Sequence, residues 1–531
     1  MKKKSVVALL LAALLAAASA CSPAPAVSTA GSQPEKVSSA GEEAAEEPDS
    51  SSGEVVVLDI FRSGTRPMNE KTEAVRQYVI DTLGVDMQMN QIAENANQQL
   101  ALMITSGDMP DLMLIDYNTY LDYGQQGAFF DISQDVKDYD SLMEYVGDYW
   151  VDVTIEDGIY GVPSMLNVPT NNVTAIRKDW LDNLGLEIPE TLEEWEAVMR
   201  AFTFEDPDQN GKDDTYGYSG AGFQYVSGIL GAFGATSDQH YFLNVDDTVT
   251  TNAISEEYRA GLTYLNKLYE EKIMDPEFFT ATIEQSQQKW GRGQFGIWPG
   301  GWSWAGNAYL RYGFEELQPD AQVEIVYPPK GENGTQGELY AAAFDSVIAF
   351  SGSMTEEKKD AGLKLLNFEA TREGFYTVMF GIKDIDYETD EDGLITWYWG
   401  HNGGKDREGN EVTDMEVYKL LYNEPLQRYA DSLDKSPANV LYAAATEVQY
   451  ATPVRENLFA FIRTEEYLDN DAELKKFFEE NSIRFIMGEK DIETEWEQYK
   501  ADYLAMGGEE VRQSLLKAYN EKMGTEYTFR E

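Results

Sequence analysis

The chain has 531 residues, with 41 lysines and arginines against 94 aspartates and glutamates, a formal charge of −53. Such an excess of acid excludes nucleic acid as a partner, because backbone phosphates demand a basic surface. One cysteine and two histidines, His240 and His401, allow no intramolecular disulfide, no thiolate metal site and almost no material for Ser-His-Asp or Cys-His catalysis.

Residues 1–20 carry a positive stretch (Lys2, Lys3, Lys4), an apolar stretch from Val6 to Ala18 and the small residues Ala18, Ser19 and Ala20, the pattern of an export signal. The single cysteine, Cys21, follows at once. The run resembles the lipobox of bacterial lipoproteins, with Ala18 where leucine is usual, and by that resemblance Cys21 is acylated and anchors the chain to a membrane. Residues 22–53 are small, polar and acidic without apolar periodicity and are predicted, with Cys21, to form a lipidated and disordered tether; 32 such residues span roughly 30 Å.

The remaining length, about 480 residues, exceeds what one core organises, so at least two lobes are expected. EVVVLDIF at 54–61 is predicted as a strand, 70–83 as a helix, 85–90 as a strand, 93–106 as a helix stopped at Gly107 with Pro110 beyond, and DLMLID at 111–116 as a short buried strand. This βαβαβ pattern implies a parallel sheet, whose ligands meet the carboxyl ends of the strands. Arg62, Arg66, Asp116, Tyr117 and Asn118 occupy such positions.

A second α/β body is expected after YGVPS at 160–164. Thr191 and Glu194 form a capping box ahead of a helix that aligns Leu192, Trp195, Val198, Met199 and Phe202 on one face. Another helix is predicted over 256–273, with Tyr258, Leu262, Leu265, Leu268 and Tyr269 as its buried stripe, and the last third of the chain reads as mostly helical.

Two runs carry chemistry. DPDQNGKDDTYG at 206–217 places Asp206, Asp208, Asn210, the Lys212 carbonyl and Asp214 at the alternating positions of an EF-hand loop, with Gly211 at the turn. Its twelfth position is Gly217, so the bidentate glutamate is absent; Asp213, Thr215 or water would complete a structural Ca2+ site. WGRGQFGIWPGGWSW at 290–304 sets Trp298, Trp302 and Trp304 beside Pro299, Gly300 and Gly301, a combination suited to stacking on sugar rings. Trp397, Tyr398 and Trp399 form either a second platform or packing between lobes.

With these runs in view, TSGDMPDLMLID, GIYGVP, IRKDWLDNLGLEIPETLEEW, DPDQNGKDDTYGY, GQFGIWPGGWSW and AAFDSVIAFSG occur in the order found in extracellular solute-binding proteins of family 1, the sugar-binding components of ABC transporters. The chain resembles the long lipoprotein subgroup that includes proteins similar to alginate-binding proteins. The resemblance implies an α/β, two-lobe periplasmic-binding-protein-like fold (type II), each lobe a sheet flanked by helices, with the ligand cleft between them. It places lobe one at 54–165 plus about 340–390 and lobe two at 166–339 plus about 391–531. It also implies calcium on Asp206, Asp208, Asn210, Lys212 and Asp214, with Thr215 where the relative has an acid, and a sugar-stacking role for Trp302. Trp298, Trp304, Asp116, Tyr117, Asn118, Arg62, Arg66, Tyr225 and Trp399 complete the expected ligand contacts.

The function so implied is capture of an oligosaccharide by a monomer at the extracytoplasmic face and delivery to ABC permease subunits, without catalysis. A surface glycoside hydrolase or lyase and a sensory binding protein are the alternatives, and the ligand's charge stays open. Arg177, at the start of lobe two, is expected to form an ion pair.

Overall fold

The computed structural model describes residues 55–66, 68–166, 169–170, 172–301, 304–306, 314–339, 342–389, 395–397, 417–421 and 437–530. The signal, Cys21, the tether, Trp302, Tyr398, Trp399 and His401 lie outside the described residues, as does the side chain of Trp397.

The first body grows from the expected alternation. Strand β1 (Val56–Ser63), helix α1 (Glu70–Leu83), β2 (Val85–Ile92), α2 (Ala96–Ser106), β3 (Leu112–Asp116) and α3 (Tyr117–Gln125) follow in order. Asn69 caps α1 and Gly84 ends it at φ 70°, while Gly107 ends α2 at φ 76°, a left-handed backbone that glycine reaches without a Cβ penalty. β1 pairs in parallel with both β2 and β3. The sheet is then completed from far along the chain. Phe344–Phe350 lies antiparallel to β3 and to Gly161–Met165, so the five-stranded sheet is mixed where the sequence predicts a parallel one. Its core joins Leu58, Ile60, Phe61, Leu112, Val347 and Ile348.

Val417, Tyr418, Leu420 and Leu421 belong to that same core, whereas the sequence reading assigns everything beyond about 390 to the second lobe. The reason is backbone satisfaction. Arg62 donates to the carbonyls of Val417 and Lys419, Ser164 to that of Leu420, and the Glu369 carboxylate accepts the N–H groups of Leu420 and Leu421. An apolar segment with its polar groups met in this way can be buried in the first body whatever its place in the chain.

The second body holds a four-stranded sheet in the order Val323–Val326, Asn172–Arg177, Phe295–Gly301, Tyr216–Tyr218. The helix Leu192–Phe204 begins with the expected capping box: Thr191 Oγ1 accepts from Glu194 N, and Glu194 Oε2 accepts from Thr191 N at 2.9 Å. Trp195 is buried and donates its indole N–H to the Pro189 carbonyl. Helix Glu256–Glu270 buries Tyr258, Leu262, Leu265 and Leu268 and partly buries Tyr269. Helices Pro437–Ala451, Glu465–Ile486, Ile492–Tyr503 and Glu509–Met523 supply the helical C-terminal region.

The chain passes between the two cores after Met165, after Leu339 and again between Leu421 and Leu441. Near residue 460 the two bodies touch: Phe459 and Ile462 join the second core, while Phe461 between them stacks on Phe344 of the first at 4.6 Å. Among the described residues no helix is long and apolar enough to cross a membrane.

Candidate functional site

The carboxyl end of β3 lies where the two bodies meet. Asp116 caps α3, its carboxylate accepting from the backbone N–H of Thr119 at 3.0 Å and its hydroxyl at 2.6 Å. Tyr117 turns inward, edge-on to Phe344 and Phe461, and donates its hydroxyl to the Asp152 carbonyl at 2.6 Å. Asn118 stays exposed and accepts from Nε of Arg463, a residue of the second body, at 2.9 Å. Of the three, Tyr117 lines a crevice of about 410 Å³ whose walls also include Asp152, Phe461, Arg463 and Lys522. Lys522 reaches across to Asp152 at 3.1 Å, and burial pushes the Asp152 carboxyl up against the opposing pull of that lysine.

Arg463 is not among the residues that the sequence reading assigns to the site. It sits in the short non-helical FAFIR stretch just before Thr464, the N-cap of Glu465–Ile486, and that interruption between two helices was the available signal. Arg62 is drawn into the fold by the 417–419 backbone, and the Arg66 main chain is held by Gln91. Arg177, 3% exposed, forms the expected ion pair, a two-pronged contact with Asp179, and covers the Trp180 ring at 4.7 Å.

The aromatic run divides. Trp298, on Phe295–Gly301, is 2% exposed and lies against Trp290 at 5.1 Å, Phe295 and Trp304, so its indole is part of the second body's interior and has no free face. Trp304 is half-buried, and Tyr225 meets it at 4.8 Å with the rings tilted by 52°. Two glycines make room for it: a Cβ on Gly301 would stand 2.8 Å from Trp304 Nε1, and one on Gly300 would strike the six-membered ring. Gly300 and Gly301 therefore serve as a shelf for the Trp304 indole, and the Tyr225–Trp304 pair is partly exposed.

In the acidic loop Gly211 N–H donates to both oxygens of Asp206, at 3.0 and 3.2 Å, and Asn210 Nδ2 donates to Asp208 at 2.7 Å and Asp214 at 3.1 Å. Burial raises the Asp208 carboxyl, and the nearby charges of Asp206 and Asp214 add to the rise. Thr215 is buried and donates its hydroxyl to the Phe202 carbonyl, a bond that turns it into the fold and not to the loop. At Gly217 a Cβ would meet the Met199 backbone, so no glutamate can stand at the twelfth position. Among the described residues no three His, Cys, Asp or Glu side chains form a preassembled metal site. The oxygens of Asp206, Asp208, Asn210 and Asp214 nonetheless form a hard-donor set bearing three negative charges, as calcium requires. His240 is half-buried beside Asp238 and Phe242.

The family model of bacterial extracellular solute-binding proteins matches residues 69–374. The chain is 26% identical over 449 residues to the polygalacturonan/rhamnogalacturonan-binding protein YtcQ of Bacillus subtilis (strain 168), covering 80% of this chain and 83% of that one. Its fold is similar to that of the alginate-binding protein AlgQ2 solved without calcium ion, with TM-score 0.63 and 18% identity over 88% of this chain and 98% of that chain. It is equally similar to an EF-hand mutant of the S. pneumoniae ABC-transporter substrate-binding protein FusA in complex with fructo-nystose, with TM-score 0.63 and 18% identity over 88% of this chain and all of that one. Those folds have two lobes, matching the two bodies described above. A family match that spans more than half of the sequence, joined to that architecture, establishes that the chain belongs to the bacterial extracellular solute-binding protein family.

Proposed function

We propose that this protein is a lipid-anchored receptor that captures an oligosaccharide between its two bodies and hands it to an ABC importer, without chemical turnover. The observation that carries the sugar reading is the half-buried Tyr225–Trp304 pair on its glycine shelf. An aromatic face packs against the apolar C–H face of a pyranose, while polar groups bond the hydroxyls. The naming of relatives for polygalacturonan and for a fructose oligosaccharide complex supports the same class of ligand. Closure follows if the ligand binds the closed arrangement more tightly than the open one.

Asp206, Asp208, Asn210, the Lys212 carbonyl and Asp214 are the residues that would hold calcium. The ion would supply charge neutralisation to a strained acidic turn, in which Asp206 and Gln209 take positive φ values of 48° and 55°. A calcium dependence fits relatives solved without calcium or with an altered EF-hand. Cys21 would carry the acyl chains, and the tether would hold the body near its permease at high local concentration.

Thermal shift of the full chain in detergent against a panel of oligosaccharides, peptides and amino acids tests this reading. A saturable rise in Tm with an oligosaccharide is expected. Stabilisation by a peptide or amino acid alone would overturn the sugar assignment.

A further inference from the structure

Arg463 is at odds with the charge of its surroundings. Arg76, Arg177, Arg200, Arg259 and Arg512 each grip a carboxylate. Arg463 meets only neutral acceptors: Asn118 Oδ1 through Nε at 2.9 Å, and the carbonyls of Ala460 and Ile462 through Nη1 at 2.8 and 3.0 Å. Its guanidinium also lies over the rings of Tyr467 at 4.8 Å and Tyr117 at 5.5 Å. Among the described residues no carboxylate pairs with it, and its Nη2 donates to none.

Those three bonds engage the Nε hydrogen and both Nη1 hydrogens, which leaves the two Nη2 hydrogens of a half-buried guanidinium held by fixed partners on its other sides. A charge-assisted bond from such a donor is stronger to a carboxylate than to a neutral hydroxyl, and the difference grows where water is partly excluded. The crevice beside it, about 410 Å³, falls within the size range of small-molecule sites. Of the nearby acids, Asp152 is engaged by Lys522 and Asp116 by Thr119, which leaves Glu156 on the rim.

We infer that Arg463 is a specificity-determining residue that receives the carboxylate of an acidic sugar, so that the protein prefers carboxylated oligosaccharides to neutral ones. This inference rests on the oligosaccharide reading above. Arg463 unites a second-body charge with Asn118 and Tyr117 of the first, so an anion bound there would also favour the closed arrangement.

The test is calorimetric titration of the full chain in detergent with short oligogalacturonates, oligomannuronates and oligoglucuronates, each paired with its methyl ester, and with neutral oligosaccharides. The expected result is that one acid binds at least 30-fold more tightly than its ester, and that Arg463→Gln removes this preference while Arg463→Lys keeps part of it. The acid–ester comparison in the unaltered protein stands even if a variant folds poorly. A neutral glycan or ester that binds best, or a preference that survives Arg463→Gln, overturns the inference while leaving the oligosaccharide reading intact. Failure of every glycan overturns that reading and this inference with it.

Discussion

Trp298 and Trp304 are six residues apart, and the structure gives them different work. Trp298 is enclosed by Trp290 and Phe295, so Trp298→Ala is expected to cost about 3–5 kcal/mol of stability, seen as a lower midpoint in chemical denaturation. Trp304→Ala, at a half-buried position, should lower that midpoint less than Trp298→Ala does and weaken oligosaccharide binding roughly tenfold, the usual worth of one aromatic contact. Equal loss of stability in both variants would contradict the division. Two buried acids give a pH dependence. Burial lifts the Glu338 carboxyl to about 7 against hydrogen bonds from Asn172, Ser227 and the Leu339 N–H, and it lifts Glu369 to about 7 against the Leu420 and Leu421 N–H groups. Both bind a proton more tightly folded than unfolded, where the ordinary value is 4.5. Their contribution is therefore fully present below about pH 4.5 and is lost as pH rises through 7. Tm should fall across pH 5 to 8, and Glu338→Gln should flatten that fall; an unchanged slope would contradict the assignment.

Elements whose signals are local were legible in the sequence. The capping box at Thr191 and Glu194, the glycine stops at 84 and 107 and the periodic stripe of Glu256–Glu270 act within a few residues, and the helices form where those signals stand. What could not be read is set by partners remote in sequence. The antiparallel strand Phe344–Phe350 in the first sheet depends on β3, more than 220 residues earlier, and the place of 417–421 depends on Arg62 and Glu369. The position of Tyr117 and Asn118 after a strand was legible, whereas the contact of Arg463 depends on Asn118, 345 residues away in the chain. The acidic loop is the element whose spacing says most by itself. Its crowded aspartates predict that millimolar calcium raises Tm by several degrees over a chelator, and that Asp206→Ala with Asp208→Ala abolishes the rise. Identical melting with calcium and chelator would remove calcium from the account.

At the scale of the whole molecule, two cores joined by three chain passages fit the proposed closure on a ligand, and Arg463 and Lys522 each reach from the second body to the first. The proposed anchor belongs to this scale as well. Cys21→Ser is expected to shift the protein from the membrane fraction to the medium on cell fractionation without changing ligand affinity; retention on the membrane would contradict lipidation at that residue. The central claim is that an oligosaccharide binds between the bodies and is released unchanged. Isothermal titration of the full chain with its best-stabilising oligosaccharide tests it most directly. The account predicts saturable heat at one ligand per chain and a flat baseline after saturation. No heat with any oligosaccharide, or heat that continues after saturation as ligand is consumed, would contradict it.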